Sequence, residues 1–229
     1  MPKSKKSDPI LTLLTGKAGL KQHVFDNTFE VFKSLKQVLS EIADRYNKLL
    51  EGSDPRIRLE YHDKGEFVAL LRVAGDTLVF YMHSNTFEFD RDHKVWQIPY
   101  VQQNLVNSYV GQIHIFNFLS DSFRYNRNTD VGYLVARLFV NQENHFFVEG
   151  KRQKGMSLAN FGQSVIDGAK LVRIVETAIL YSLQFDLLVP PYENVSIITL
   201  EQVNEEIMNS RMKTGKRLGF QYNSDDVKG

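Results

Sequence analysis

The chain has 229 residues, a formal net charge of +1 and no cysteine. A charge so close to zero favours no acidic partner for the molecule as a whole, and the lack of cysteine excludes disulfides and thiol chemistry. No segment of about 18 residues is apolar and free of charge, and residues 2–8 are too polar for a signal segment. We therefore expect a cytoplasmic protein with no membrane partner, folded as one domain.

A long helix is predicted over residues 20–51. Its apolar side chains recur at steps of three and four residues, and Gly52 stands where such a helix ends. At about 1.5 Å per residue the helix would be longer than a typical strand, so part of it should overhang the sheet or cover the sheet of a partner. Thr15-Gly16-Lys17, just before it, lacks the rest of a phosphate-loop pattern and is interpreted as a loop or a helix start.

Three tight turns between residues 56 and 152 predict an antiparallel sheet. Residues 142–144 and 63–65 fit three-residue hairpin loops, and Gly75-Asp76 fits a two-residue turn with glycine first. Because strand side chains alternate, the three turns place apolar pairs on one shared face. These pairs include Val140 with Phe146, Leu138 with Val148, Tyr61 with Phe67, and Val73 with Leu78.

With further strands predicted near 86–90, 94–100, 109–118 and 131–140, the chain should form an antiparallel meander of six or seven strands over about 56–152. The second face of this sheet is also apolar; it carries Val68, Leu70, Val79, Tyr81, Val135, Phe139 and Phe147. Apolar patches of this size seldom stay exposed to water. We expect a helix to cover part of the face and a second subunit to cover the rest, so the protein should be a homo-oligomer.

A second long helix is predicted over residues 157–187, with Ser157 as its N-cap and Pro190-Pro191 beyond its end. Most of its circumference is apolar, so it should be buried on two sides, against the sheet and against the first helix. Local ion pairs are expected along a narrow polar stripe that contains Asp167, Lys170, Arg173 and Glu176. The fold class is therefore α+β, with the sheet packed against a long N-terminal helix and a long helix in the C-terminal half.

The single domain is predicted to extend over residues 1–212, with a basic arm at 1–8. A short strand at 195–198 and a helix from about 200 to 212 would complete it. Residues 213–229 have a basic start followed by alternating apolar side chains. This pattern suits a flexible tail, or a tail that adds an edge strand to this sheet or to that of a partner.

The segment between Phe118 and Asp130 is the main candidate for binding, because long polar and aromatic loops on a rigid sheet often carry binding residues. Arginine and tyrosine are frequent at protein interfaces, and they also stack on bases and contact phosphates. The alternative is a long ordered connection whose side chains pack on the rim of the sheet. The candidate binding residues are Phe123, Arg124, Tyr125 and Arg127 in this segment, together with Lys151 and Arg152 at the rim.

Glu149-Gly150-Lys151 is the sharpest candidate for catalysis. An apolar strand that ends in Glu-x-Lys resembles the core motif of the restriction-endonuclease-like nuclease superfamily. The resemblance implies that Glu149 holds a metal ion, that Lys151 stabilises charge, and that Asp130 or Asp121 supplies a second carboxylate. The hairpin register offers another role, because it places Arg137 directly across from Glu149, where an ion pair needs no metal. We favour the ion pair.

The six histidines show no zinc-type spacing, so we predict no metal site, cofactor or catalytic residue. The leading hypothesis is a cytoplasmic binding or regulatory module that acts through protein contacts and associates with itself. One alternative is a nucleic-acid-binding protein that uses the 118–130 segment and the basic termini. The other is a metal-dependent nuclease built on Glu149 and Lys151.

Overall fold

The computed structural model describes residues 8–150 and 152–185, together with Leu200. It confirms the predicted α+β fold, since six strands form one antiparallel sheet in sequence order beside two long helices. The strands are β1 (Leu59–Asp63), β2 (Val68–Val73), β3 (Asp76–Met82), β4 (Val110–Leu119), β5 (Tyr133–Asn141) and β6 (Phe146–Gly150). The helices are α1 (Pro9–Leu13), α2 (Gly19–Leu49), α3 (Pro99–Gln103), α4 (Ser120–Arg124) and α5 (Gly168–Leu183).

Several predicted features lie outside the described residues. They are most of the basic arm at 1–8, the candidate residue Lys151, the strand at 195–198, the helix at 200–212 apart from Leu200, and the tail at 213–229. Within the part of the chain that is described, none of the helices has the length and apolar character needed to cross a lipid bilayer.

The helices α2 and α5 cover one face of the sheet, which we call the inner face. Apolar side chains from both helices and from all six strands form a single buried cluster there; its fully enclosed members include Phe32, Leu39, Leu71, Phe80 and Ile113. Gly111 lets α2 approach β4 closely, because a Cβ atom at this position would overlap the buried side chain of Thr28. The second helix contacts both the sheet and the first helix, as predicted.

The second helix begins later than predicted. Residues 158–160 form only a 3-10 turn, the chain is extended at Phe161, and Asp167 rather than Ser157 caps α5 by accepting a hydrogen bond from the Lys170 backbone N–H. That bond and the Lys170 ammonium lower the pKa of Asp167. One expected local ion pair is present, between Lys170 and Asp167, whereas Glu176 accepts a 2.5 Å hydrogen bond from Arg45 of α2.

The β5–β6 hairpin has the predicted register, with Leu138 opposite Val148 and Asn144 in the left-handed conformation at a φ of 58°. The β1–β2 hairpin has a longer loop than expected, over residues 64–67, so Tyr61 faces Leu71 instead of Phe67. The backbone N–H of Lys64 donates to the carbonyl of Val68 and closes this loop.

The β2–β3 turn consists of Ala74-Gly75 rather than Gly75-Asp76, and Val73 therefore faces Asp76 instead of Leu78. Both incorrect registers are shifted by an even number of residues. An even shift leaves every side chain on the predicted face, so the inner face was assigned correctly for these strands. On β5, Val135 was assigned to the wrong face. A bulge opposite Ile115 and Phe116 turns its side chain into the inner cluster.

The connection between β3 and β4, residues 83–109, crosses the other face of the sheet, and we call it the strap. The strands predicted at 86–90 and 94–100 are wrong: Phe87 only bridges Val110, while residues 94–97 form a 3-10 turn. Pro99 then begins α3, at a position where its missing N–H is not needed. The strap buries the outer side chains of β5 and β6 in a second cluster that contains Val95, Val101, Val110, Phe139, Phe147 and Phe161.

Candidate binding groove on the outer face of the sheet

The strap covers only the β5–β6 half of the outer face, and a groove of about 730 Å³ lies on the other half. Its volume is within the usual range for ligand sites, about 300–1,000 Å³. One bank is formed by the β1–β2 hairpin and the turn before it, and the other by α4 and Asn126, two residues after its end. The lining residues are Pro55, Arg56, Glu60, His62, Lys64, Leu70, Arg72 and Thr77 on the first bank and floor, and Ser120, Asp121, Phe123, Arg124 and Asn126 on the second.

The β2–β3 turn holds the start of α4 in place. The backbone N–H of Ser120 donates to the carbonyl of Gly75 over 2.9 Å, and the Ser120 and Thr77 hydroxyls lie 2.9 Å apart. Phe123 extends from α4 and packs edge-on against Phe118 of β4, with 5.5 Å between the ring centres. These contacts fix the second bank relative to the sheet, so the groove is a formed feature rather than a gap between loose segments.

The groove has more positive than negative side chains in its lining. Arg72 is paired with Glu60 at 3.2 Å, and Arg56 makes a 2.5 Å contact with Asp54, whose pKa it lowers to about 2. Lys64 and Arg124, on opposite banks, have no carboxylate partner among the described residues. Within the described part of the chain, the groove therefore presents two cations without carboxylate partners, in a lining that also contains Leu70 and Phe123.

The structure places Phe123 and Arg124 in this groove, as two of the predicted binding residues. Phe123 is 44% exposed, which is high for a phenylalanine, and the Arg124 guanidinium lies 5.5 Å from the centre of the Tyr125 ring. Tyr125 is half-buried and caps the end of α4, so it supports Arg124 rather than lining the groove.

Arg127 has a structural position instead. Its Nε lies 3.1 Å from Asp130 Oδ2, and its side chain is only 20% exposed. It lines a smaller cavity of about 230 Å³ inside the 118–130 segment, into which Ser122 and Asp130 also point their hydrogen-bonded side chains. This contact fits the alternative of an ordered connection, and a binding role for Arg127 stays a prediction.

Arg152 is not brought to the groove. It donates a hydrogen bond to Gln184 just after α5 and lies over the ring of Tyr181, with 6.0 Å between guanidinium and ring centre. The candidate surface predicted from the sequence is thus divided, with Phe123 and Arg124 at the groove and Arg152 beside α5.

Sequence analysis missed the first bank of the groove, namely Arg56, His62 and Lys64. The signal that could have found it was the placement of Leu70 and Arg72 on the outer face. The sequence did not reveal that Thr77 pairs with Phe118. This pairing joins β3 to β4, which the strap separates in the sequence, and it brings α4 beside the β1–β2 hairpin.

An aromatic row lies next to the groove on the uncovered part of the outer face. Tyr81, His114 and Phe116 stand on β3 and β4, with ring centres 6.2 Å and 5.7 Å apart along the row. All three are half-buried, and Arg137 follows them on β5. Burial, together with the nearby charges of Arg137 and His83, lowers the pKa of His114.

Glu149 is held by an ion pair, as favoured from the register. Its Oε2 accepts from Arg137 Nη2 over 2.5 Å, and its Oε1 lies 3.9 Å from His93 Nε2. Among residues 8–150 and 152–185, no three histidine or carboxylate side chains are grouped so that they could hold a metal ion. Lys151, the other residue of the nuclease resemblance, lies outside the described residues, so that alternative stays a hypothesis.

No family model, curated protein or solved structure matches this chain. Its function must therefore be argued from the groove itself.

Proposed function

We propose that the protein is a non-catalytic binding module of the cytoplasm that holds a short, extended, acidic segment of another protein in the groove. The observation that carries this proposal is the pair Lys64 and Arg124, which flank the groove from opposite banks without carboxylate partners among the described residues. A segment with carboxylates on either side of an apolar side chain matches this arrangement.

The composition of the groove supports a protein ligand. Phe123, which is 44% exposed, offers apolar surface to a ligand side chain, and charged groups on the rim confer orientation and specificity. The absence of cysteine from the sequence fits a reducing compartment. Cleavage at Glu149 forms no part of the proposal, because its carboxylate already pairs with Arg137.

The proposal is tested by selecting binders from a random peptide library on phage. We expect the selected peptides to share an apolar residue flanked by aspartate or glutamate. Synthetic versions should bind the double variant Lys64→Glu, Arg124→Glu at least about tenfold more weakly than the unaltered protein, because both new charges repel the ligand.

The matched control is the double variant Lys48→Glu, Lys154→Glu, which makes the same charge change at exposed positions on α2 and after β6. Its affinity for the selected peptides should stay within about twofold. Peptides without acidic residues, or equal binding to both double variants, would contradict the proposal.

The aromatic row favours a second candidate function, the binding of single-stranded nucleic acid. Rings on an open sheet face can stack on bases, and each stacked base contributes about 1–3 kcal/mol. Tyr81 and Phe116 would provide the rings, and Arg137 the nearest cation.

This second candidate is tested by titrating oligo(dT) at two salt concentrations. Affinity should fall as salt rises, and Tyr81→Ala with Phe116→Ala should weaken it by at least about tenfold, whereas the exposed aliphatic control Leu180→Ala on α5 should not. Undetectable binding at low salt would exclude nucleic acid as the ligand.

A further inference from the structure

The long N-terminal helix extends beyond the sheet at its start. Residues 9–18, which we call the projecting helix, comprise α1 and a π-helical turn, and none of their side chains is buried. Four aliphatic residues in five positions are between 59% and 68% exposed: Ile10, Leu11, Leu13 and Leu14. Isolated apolar side chains on a surface are ordinary, but such a concentration on one short helix marks an interaction site.

The base of the projecting helix lies against the strap. Lys17 Nζ is 5.7 Å from the centre of the Tyr109 ring, and the Thr86 hydroxyl donates to the carbonyl of Lys21. The 3-10 turn that leads into Tyr109 exposes two more aliphatic residues, Leu105 at 59% and Val106 at 36%, which we call the shoulder. An exposed apolar helix and an exposed apolar shoulder thus belong to one region of the molecule.

We propose that this region is a homodimer interface, in which the projecting helices of two copies pack antiparallel about a two-fold axis near Leu13. In this arrangement the start of each helix lies beside the base of the other. Ile10 and Leu11 of one copy therefore reach the shoulder of its partner, and the contact is reciprocal, as a two-fold interface requires.

Among the residues that the structure describes here, from Asp8 onward, the charges complement each other in this arrangement. Asp8 precedes the projecting helix and caps it, while Lys17 and Lys21 stand at its base, and no other carboxylate occurs before Asp26. Antiparallel pairing brings Asp8 of each copy toward the two lysines of the other. Parallel pairing would instead place equal charges together.

The available area also suits a second copy. Six exposed aliphatic side chains supply on the order of 500 Å² per copy, at roughly 100 Å² or less each. Polar side chains among them, such as Thr12 and Thr15, add to this area, and an ordinary specific interface buries roughly 800 Å² per partner. The proposal is independent of the groove and of its ligand.

Sedimentation equilibrium on the full chain tests the proposal. We expect a dimer at micromolar concentrations, and Leu13→Glu should raise its dissociation constant by about 100-fold or more. The matched control is Leu180→Glu, which places the same charge at an equally exposed leucine of α5 and should leave the dimer intact. A monomeric wild type, or a dimer that survives Leu13→Glu, would overturn the proposal.

A charge exchange and a crosslink separate this arrangement from other dimers. Asp8→Lys and Lys17→Glu should each weaken the dimer, and the two changes together should restore it, because the pair is merely reversed. Since the sequence has no cysteine, Leu13→Cys introduces a single thiol per chain, which should form a disulfide-linked dimer on mild oxidation. Leu180→Cys should remain monomeric on the same gel.

The other occupant of an apolar helix with basic neighbours is an anionic membrane surface. In that case the protein would be monomeric in solution and would sediment with phosphatidylserine vesicles, while the Leu13→Glu variant would not sediment with them. That result would show that the region binds a lipid surface and not a second copy. Failure of the crosslink or of the charge rescue would likewise overturn the antiparallel arrangement.

Discussion

Ala74 holds an unusual backbone conformation in the sheet. Its φ of 53° lies in the left-handed region, which costs a residue with a Cβ atom about 1–2 kcal/mol. The turn has only two residues, Ala74 and Gly75, because Val73 pairs directly with Asp76. From the sequence, Gly75 was expected to be the left-handed residue of the turn. Because the register is shifted by two residues, Ala74 takes the left-handed conformation instead.

Ala74→Gly should therefore stabilise the protein. Removing the Cβ relieves the left-handed strain, while the freer unfolded chain offsets part of the gain, so the free energy of unfolding should rise by about 0.5–1 kcal/mol. Urea denaturation measures this change. The control Ala159→Gly, at an exposed position in a 3-10 turn, should lower the free energy of unfolding by a similar amount. A loss of stability at both positions would contradict the assigned turn.

His114 makes stability depend on pH. Burial, then Arg137 and His83, lower its folded pKa below the usual 6.5, so the unfolded chain binds the proton more readily. The stabilising contribution is present above pH 6.5 and is lost as pH falls below that value toward the lowered folded pKa. His114→Gln should flatten this part of the curve when the free energy of unfolding is measured against pH. A variant curve that falls as steeply as the wild-type curve would contradict this assignment.

At the scale of elements, other parts of the chain form hydrogen bonds with both edge strands of the sheet. On β6, the N–H of Val148 donates to the carbonyl of Met156 over 2.6 Å. On β1, the Asn47 side chain of α2 binds both backbone groups of Leu59, at 2.8 Å and 2.9 Å. An amide from a helix thus takes the place of a neighbouring strand, which protects the edge against pairing with another chain.

Asn47→Ala should open this edge. The N–H and C=O of Leu59 would lose their partners, which lowers the free energy of unfolding by about 1–2 kcal/mol and increases aggregation on storage. Urea denaturation and light scattering measure the two effects. Gln37→Ala, at an exposed position on the same helix, removes only a bond to Glu41 and should cost less than about 0.5 kcal/mol. Equal effects of the two substitutions would show that the hydrogen bonds between Asn47 and Leu59 do not protect β1 from aggregation.

The faces of the strands could be predicted from the sequence, whereas two registers and one helix start could not. A period of two determines which side chains share a face, but it is unchanged when a strand slides by two or four residues. The apolar residues from 158 to 166 resemble a continuation of α5. They are separate because Phe161 packs into the outer cluster, whereas Leu171 and Ile174 pack into the inner one.

At the scale of the whole molecule, the sheet separates two hydrophobic clusters. The inner one extends across all six strands, and the outer one is confined to the part of the sheet under the strap. The apolar side chains of the outer face indicated that this face is covered. The strap was interpreted as strands, however, so its role in covering the β5–β6 half was missed. The groove was missed for the same reason. Its two banks come together only because β3 pairs with β4, and the strap separates these strands in the sequence.

The outer cluster should matter as much for stability as the inner one. Phe147 and Phe80 are both fully buried, one in each cluster, so alanine at either position should cost about 3–5 kcal/mol. Phe123→Ala, at the rim of the groove, should cost less than about 1 kcal/mol. Urea denaturation of the three variants checks this order. A small effect of Phe147→Ala would mean that the strap only rests on the sheet.

The only tryptophan of the sequence, Trp96, sits in the strap, where its indole N–H donates to the carbonyl of Asp90 over 2.7 Å. Arg91 covers its ring at 4.4 Å. Intrinsic fluorescence therefore reports on the covered half of the outer face, whereas far-ultraviolet circular dichroism reports mainly on α2 and α5 across the sheet. The protein thus carries a separate optical probe for each of its two layers. Coincident transitions would show that strap and helices melt as one cooperative unit, and an earlier emission change would show that the strap detaches first.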